Sequence, residues 1–206
     1  MKQVNIAVFV SGGGTNLQAL IDSEKNGVLK SGKIKLVVSS QPGAYALERA
    51  AKAGIPSVVV NKKAAGTSEA FEAQLERNLR EYDIDLIILA GFLSILSGDF
   101  TAKYRDRILN VHPSLIPSFC GKGMYGLKVH EAALEKGVKV TGATVHFVNR
   151  VPDGGRILLQ KAVEVQDGDT PEILQRRVME QAEWVLLPRA AELVSRRIQE
   201  EKENLK

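Results

Sequence analysis

Asn110 and His112 stand two residues apart in "RILNVHPSLIPSF" (107–119), where an apolar run gives way to a loop with two prolines and two serines. On a strand, that spacing puts both side chains on one face. An amide donor and an imidazole aimed at one point can stabilise a developing oxyanion. An imidazole can also move a proton near neutral pH, and a carboxylate beside it would hold it protonated. Asp153 in "VPDGG" is the candidate carboxylate, because the glycines after it suggest a tight loop that turns it inward. Each residue has an ordinary alternative: Asn110 capping a loop, His112 satisfied beside a turn, Asp153 as a turn residue before glycine. Their common position at strand ends near a glycine loop favours chemistry.

That glycine loop is "FVSGGGTNLQAL" (9–20), which reads as strand, turn, helix. Free backbone N–H groups at a helix N-terminus attract anions, and glycines let backbone approach a phosphate closely. It is not a dinucleotide fingerprint, since Leu17 occupies the third glycine position counted from Gly12. The second strand also ends in "VVSS", with no acid for a ribose diol. It is not a P-loop, because no G-K-[ST] follows. A monophosphate cradle of Gly13, Gly14, Thr15 and Asn16 remains, against the plainer alternative of a structural turn with Thr15 as N-cap.

Other chemistries fit less well. Zinc would need His112, His130, His146 and Cys120 to converge, and their spacing matches no compact ligand pattern. Cys120 in "FCGKG" carries no nucleophile signature, and G-x-S-x-G is absent. One cysteine excludes an internal disulfide. The net charge is +4, but acids interleave with the basic residues and aromatics are only 5%, which argues against a nucleic-acid partner. No apolar run is long enough to span a membrane, and the first residues do not form a secretory signal. A cytoplasmic location is expected.

Positioning these residues requires a sheet. Strands are predicted at 4–10, 33–40, 55–60, 84–91, 106–111, 139–148 and 156–165. Helices are predicted at about 16–25, 43–54 and 67–83, the last capped by Thr67 or Ser68. A long C-terminal helix is expected from Pro171 to Glu203, kinked near Pro188. The βαβαβ order predicts an α/β fold: an open, twisted, mostly parallel sheet of about seven strands with helices on both faces. The sixth and seventh strands, joined by "NRVPDGG", should add an antiparallel C-terminal hairpin.

Taken together, "SGGGTN", "LAGFLSIL", "NVHPSLIPSF", "TVHFV" and "DGGRILLQ" resemble the folate-dependent phosphoribosylglycinamide formyltransferase family, over about residues 4 to 190. The resemblance implies a Rossmann-like formyltransferase fold in one domain over 1–206. Its mononucleotide-binding half would be about 1–105, and its folate and catalytic half about 106–206. It implies formyl transfer from the co-substrate 10-formyltetrahydrofolate to the amine of glycinamide ribonucleotide, a step of purine biosynthesis and one-carbon metabolism. Asn110 and His112 would stabilise the oxyanion, with Asp153 raising the His112 pKa, and no metal would be needed. Gly14, Thr15 and Asn16 match the substrate-phosphate loop, and Glu183 matches the acid that binds the ribonucleotide. Folate contacts fall on Leu93, Ser94, Ile95 and Leu96, on Asn110, and on Asn149, Arg150, Val151, Pro152 and Asp153. His146 would lie behind the trio, Ile116–Pro117 would be cis, and a homodimer is left open.

The chain departs from that family at three places. Ser94 stands where relatives often carry arginine, Ser68 lies near a second such position, and "CGKGMYGLK" (120–128) is longer than in many relatives. These affect folate-tail and cleft contacts rather than the chemistry. Three rival readings fit the residues less well. A formyltetrahydrofolate deformylase usually has an extra N-terminal domain, whereas here the first strand starts at residue 4. A methionyl-tRNA formyltransferase adds a basic C-terminal domain, whereas here a mixed-charge helix follows. A non-catalytic nucleotide-binding module would need the glycine loop but not the trio.

Overall fold

The computed structural model describes residues 2–204. Strand β1 (Val4–Val10) is buried at every position, so it must be covered on both faces. The chain leaves it through α1 (Thr15–Lys25) to β2 (Gly32–Ser39), then through α2 (Tyr45–Lys52) to β3 (Ser57–Val59), laying each strand parallel to the last. It crosses back through α3 (Lys62–Ala65) and α4 (Ser68–Glu81) to β4 (Leu86–Leu89), on the other flank of β1. After α5 (Gly98–Lys103), β5 (Ile108–His112) extends the parallel run. After α6 (Leu127–Lys136), β6 (Val140–Phe147) and β7 (Ile157–Glu164) pair antiparallel. The sheet order is β3-β2-β1-β4-β5-β6-β7, the open, mostly parallel sheet with an added hairpin that the sequence predicts. The topological switch falls between β1 and β4, where ligands bind in such folds.

The sheet's two faces are covered unequally. One face carries α1, α2, α7 (Pro171–Val178) and α8 (Trp184–Asn204), with apolar side chains from β1 through β7. The other carries α4 and α5, and its core stops at Ile108 on β5, with no β6 or β7 residue in it. Past that edge, Asn110, His112, Thr144 and His146 share a face with no helix over it. Alternation along β5 and β6 sends Leu109, Val111, Ala143 and Val145 to the first core and these four polar side chains to the other side, where the loop after β5 packs on His112 and Thr144.

Two details correct the expectations. Thr15 is not the cap of α1: Gly14 takes that place with φ 71°, and no side chain caps the helix. Thr67 does cap α4, accepting from the Ala70 N–H at 3.1 Å. The C-terminal helix changes character upstream of Pro188, in a π turn at Met179–Glu183, and α8 continues through Pro188. The reason lies in its buried stripe, Leu174, Val178, Ala182, Leu186, Ala190, Val194 and Ile198, which repeats every fourth residue. A plain α-helix carries such a stripe off-face by about 40° per repeat, and the wider π turn winds part of it back. Helices α3, α5 and α6 were not anticipated. For α6 the usable signal was Val129 and Ala133 on one face and the stop at Gly137, which caps it in the left-handed region.

Gly142 in β6 marks how tightly β7 lies against the strand that carries His146. A Cβ there would meet the Lys161 carbonyl oxygen at 2.1 Å and Leu115 Cδ2 at 2.9 Å. Gly142→Ala should therefore lower stability by about 2 kcal/mol or more, read as a fall in the urea midpoint at unchanged slope.

Candidate active site

β5 brings Asn110 and His112 to the open face, and the connection after β6 folds back to bring Asp153 over them. Asp153 Oδ2 lies 3.6 Å from His112 Nδ1, and Oδ1 lies 3.5 Å from both His146 Nε2 and Asn110 Nδ2. The Gly121 N–H donates to Oδ2 at 2.8 Å. Asp153 holds φ 55°, a left-handed conformation that aspartate tolerates better than most residues. Burial by itself would push this carboxyl up. The His146 ring, the Gly121 N–H and the positive charge of a protonated His112 or His146 outweigh burial, and its pKa falls below the ordinary aspartate value. Asp153 is therefore an anion at neutral pH.

The hydrogen bonds fix the two imidazoles. His146 Nδ1 donates to the Phe147 carbonyl at 2.9 Å, which leaves Nε2 of the neutral ring to accept from Asn110 Nδ2 at 3.1 Å, whereas only the protonated ring has an N–H for Asp153 Oδ1 at 3.5 Å. His146 thereby orients the Asn110 amide, in the place behind the trio that the resemblance gave it. His112 Nε2 donates to the Phe119 carbonyl at 2.8 Å, because a carbonyl can only accept. Its Nδ1 faces Asp153. Phe119 was not singled out from the sequence, and a main-chain contact of this kind leaves no motif. It sits at φ 50°, in a loop shaped by the cis Ile116–Pro117 bond and by Ser114, whose hydroxyl donates to the Ser118 carbonyl at 2.6 Å.

The glycine loop and the π turn converge on the sheet's other face. Asn16 Nδ2 donates to Glu183 Oε2 at 2.6 Å, and Thr15 Oγ1 lies 3.8 Å from Met179 Sδ. Asn16 Oδ1 is buried without a protein partner. Burial pushes the Glu183 carboxyl up to about 7, against the lowering effect of its bond from Asn16. Gly14 lies against α2, where a Cβ would meet Ala46 Cβ at 2.6 Å. Arg49, unread in the sequence, ties α2 to this loop: its Nε donates to the Gly13 carbonyl at 2.8 Å.

The remaining candidates divide between rim and interior. Leu93 and Ile95 are exposed, Ser94 is half-buried, and Leu96 is buried in the second core. Across from them Asn149, Arg150, Val151 and Pro152 are exposed, and Asn149 Oδ1 accepts from the Val151 N–H at 2.8 Å to shape the turn before Asp153. His130 on α6 is fully buried with neither ring nitrogen partnered, and burial, then the charge of His112, lower its pKa to about 4. Burial, then the charge of Asp153, raise the Cys120 pKa, the opposite of an activated thiolate. Among the described residues no three of His, Cys, Asp and Glu gather as a metal site, and no helix is long and apolar enough to cross a membrane.

The family described as Formyl transferase matches residues 4–190. Fold and match together define the class, a folate-dependent formyltransferase. The phosphoribosylglycinamide formyltransferase of Escherichia coli is 40% identical, over 86% of this chain and 81% of that protein. A solved glycinamide ribonucleotide transformylase 1 from Symbiobacterium toebii superposes with a TM-score of 0.87 at 41% identity, covering 94% of this chain and 88% of that one. The trifunctional purine biosynthetic protein adenosine-3 of Gallus gallus is 47% identical over 94% of this chain, which spans only 19% of that protein's length. The chain belongs to the phosphoribosylglycinamide formyltransferase family.

Asp153 sets one acid-side test. Its folded-state pKa is depressed from 3.8, so the stability it adds is present above that value and is lost as pH falls through the lower folded one. Asn tolerates the same backbone conformation. Asp153→Asn should therefore be less stable than wild type at pH 7, with the gap closing below about pH 4, measured by urea unfolding across pH.

Proposed function

We propose that the protein transfers the formyl group of 10-formyltetrahydrofolate to the amine of glycinamide ribonucleotide. The observation that carries the proposal is the convergence of Asn110, His112 and Asp153 at one point of the sheet, with separations of 3.5 and 3.6 Å to the carboxylate. Supporting it is a separate anion cradle at the N-terminus of α1, where Gly14, Thr15 and Asn16 leave backbone N–H groups free of side-chain caps. Glu183 stands beside it to accept from the ribose hydroxyls. The rim at 93–96 and the turn at 149–153 form the walls of the folate cleft.

In this mechanism the substrate amine attacks the formyl carbon, forming the new C–N bond and a tetrahedral oxyanion. The Asn110 amide and protonated His112 stabilise that oxygen, and Asp153 pairs with the imidazolium. Asp153, acting through a water, helps carry the amine's proton to the departing folate nitrogen as its bond to carbon breaks. No covalent enzyme intermediate forms. The Nε2–H that now meets the Phe119 carbonyl is the donor that substrate binding must redirect.

A spectroscopic folate assay tests the activity directly. Folate should be deformylated only when both substrates are present. Deformylation by the folate alone would instead indicate a hydrolase, and no reaction in either mixture would return the fold to a binding role. His112→Ala should lower kcat by about 10²-fold or more while the ribonucleotide still binds.

Glu183 predicts a pH dependence. The carboxyl accepts from hydroxyls best when ionised, so ribonucleotide affinity should rise as pH rises through about 7. Glu183→Gln should flatten the Glu183 part of that profile, leaving only the phosphate's own titration near 6. The same substitution has a stability signature with a definite sign. The folded carboxyl holds its proton until about 7 while the unfolded one releases it near 4.5, so wild-type stability is lost as pH rises between them. The Gln variant should gain on wild type by ~2 to 3 kcal/mol over that window, read from urea midpoints at pH 4.5 and 8.

A further inference from the structure

The rim of the proposed folate cleft is apolar where it meets solvent: Leu93 is 61% exposed and Ile95 64%. Ser94 and Ser68 contribute no charge there. One cation nevertheless reaches this rim from a different element. Lys62 opens α3, the short helix after β3, and its Nζ crosses to the loop after β4, where it donates to the Ile95 carbonyl at 3.0 Å.

Its surroundings leave the charge available. The rim's carboxylate neighbour, Glu72, is committed to Ser97, accepting from its N–H at 2.6 Å and its hydroxyl at 2.7 Å. Glu69, on the first turn of α4, acts on Lys62 only at longer range. Among the described residues no carboxylate comes within ion-pair distance of Lys62. An ammonium has three N–H donors, and one is taken by Ile95. The Phe71 ring centroid lies 5.7 Å from Nζ and favours a cation in this place. The other basic residue at this loop, Arg150, approaches at Gly98, its far end.

An apolar rim with a held but unpaired ammonium suits a ligand whose flat apolar body ends in an acid. A folate is such a molecule: beyond the pteridine and its reacting nitrogen come an aminobenzoyl ring and a glutamate. We propose that Lys62 receives a carboxylate of the folate's glutamate tail as the aminobenzoyl group covers Leu93 and Ile95. The proposal rests on the folate assignment of this cleft. Lys62 then sets co-substrate specificity at the tail and takes no part in the bond changes.

The test is steady-state kinetics on the full chain with two co-substrates: 10-formyltetrahydrofolate with one glutamate, and 10-formyltetrahydropteroate, which lacks it. Lys62→Met should raise KM for the glutamate form by roughly five- to tenfold, the scale of one charge-assisted contact at a partly exposed rim. KM for the truncated form (or its Ki, where turnover is too slow), KM for the ribonucleotide and kcat should not change. Lys62→Arg should restore most of the loss. An unchanged KM for the glutamate form overturns the proposal. So does an equal rise for both forms, which would assign Lys62 to holding the Ile95 loop. If the wild-type chain uses neither folate, the cleft assignment itself fails, a result distinct from either of these.

Discussion

A single carboxylate, Asp153, ties the site together. It is largely withdrawn from water, and a charge in that position is tolerated only when donors meet it. Those donors come from three places: the Gly121 N–H in the loop after β5, the Asn110 amide and the His112 ring, both on β5. The left-handed backbone at Asp153 and the glycines after it allow the approach. A Cβ on Gly155 would meet the Phe147 carbonyl oxygen at 1.7 Å, so only glycine lets the chain turn back this sharply. Each segment is thus held in place by a charge that none of them could bury alone.

The second carboxylate shows the opposite treatment. Glu183 is buried more deeply and its one donor is the Asn16 amide, so burial prevails and the group stays poised near neutrality. Asp153 receives enough donors to remain an anion. Two acids on opposite faces of one sheet are therefore pushed apart in pKa by how deeply each is buried and by the number of N–H groups each receives. The sheet separates the two acids: one face carries the helices that deliver Glu183 to the glycine loop, and the other carries Asn110 and His112 beneath Asp153.

Much of this was legible in the sequence, for reasons that can be named. The seven strands follow from β-branched runs, and the shared face of Asn110 and His112 follows from a period of two. The cap at Thr67 follows from a local side-chain hydrogen bond. What stayed hidden depends on distant parts of the chain. The π turn answers a core stripe spaced at four residues, which in the sequence reads only as one long helix with a kink near Pro188. The Asn16–Glu183 contact spans 167 positions. The grip of Phe119 on His112 uses a carbonyl, which every residue has.

That last contact shapes how the site must work. Both His112 nitrogens already face protein acceptors, and Asn110 already donates to His146. In the proposed mechanism, no N–H of His112 is therefore free for an oxyanion while the Phe119 carbonyl accepts from it. Phe119 holds a left-handed conformation that a bulky residue adopts at a cost of about 1–3 kcal/mol. Gly121, Gly123 and Gly126 follow it, all at positive φ, where glycine alone moves freely. The loop is strained at its contact and pliant just beyond it.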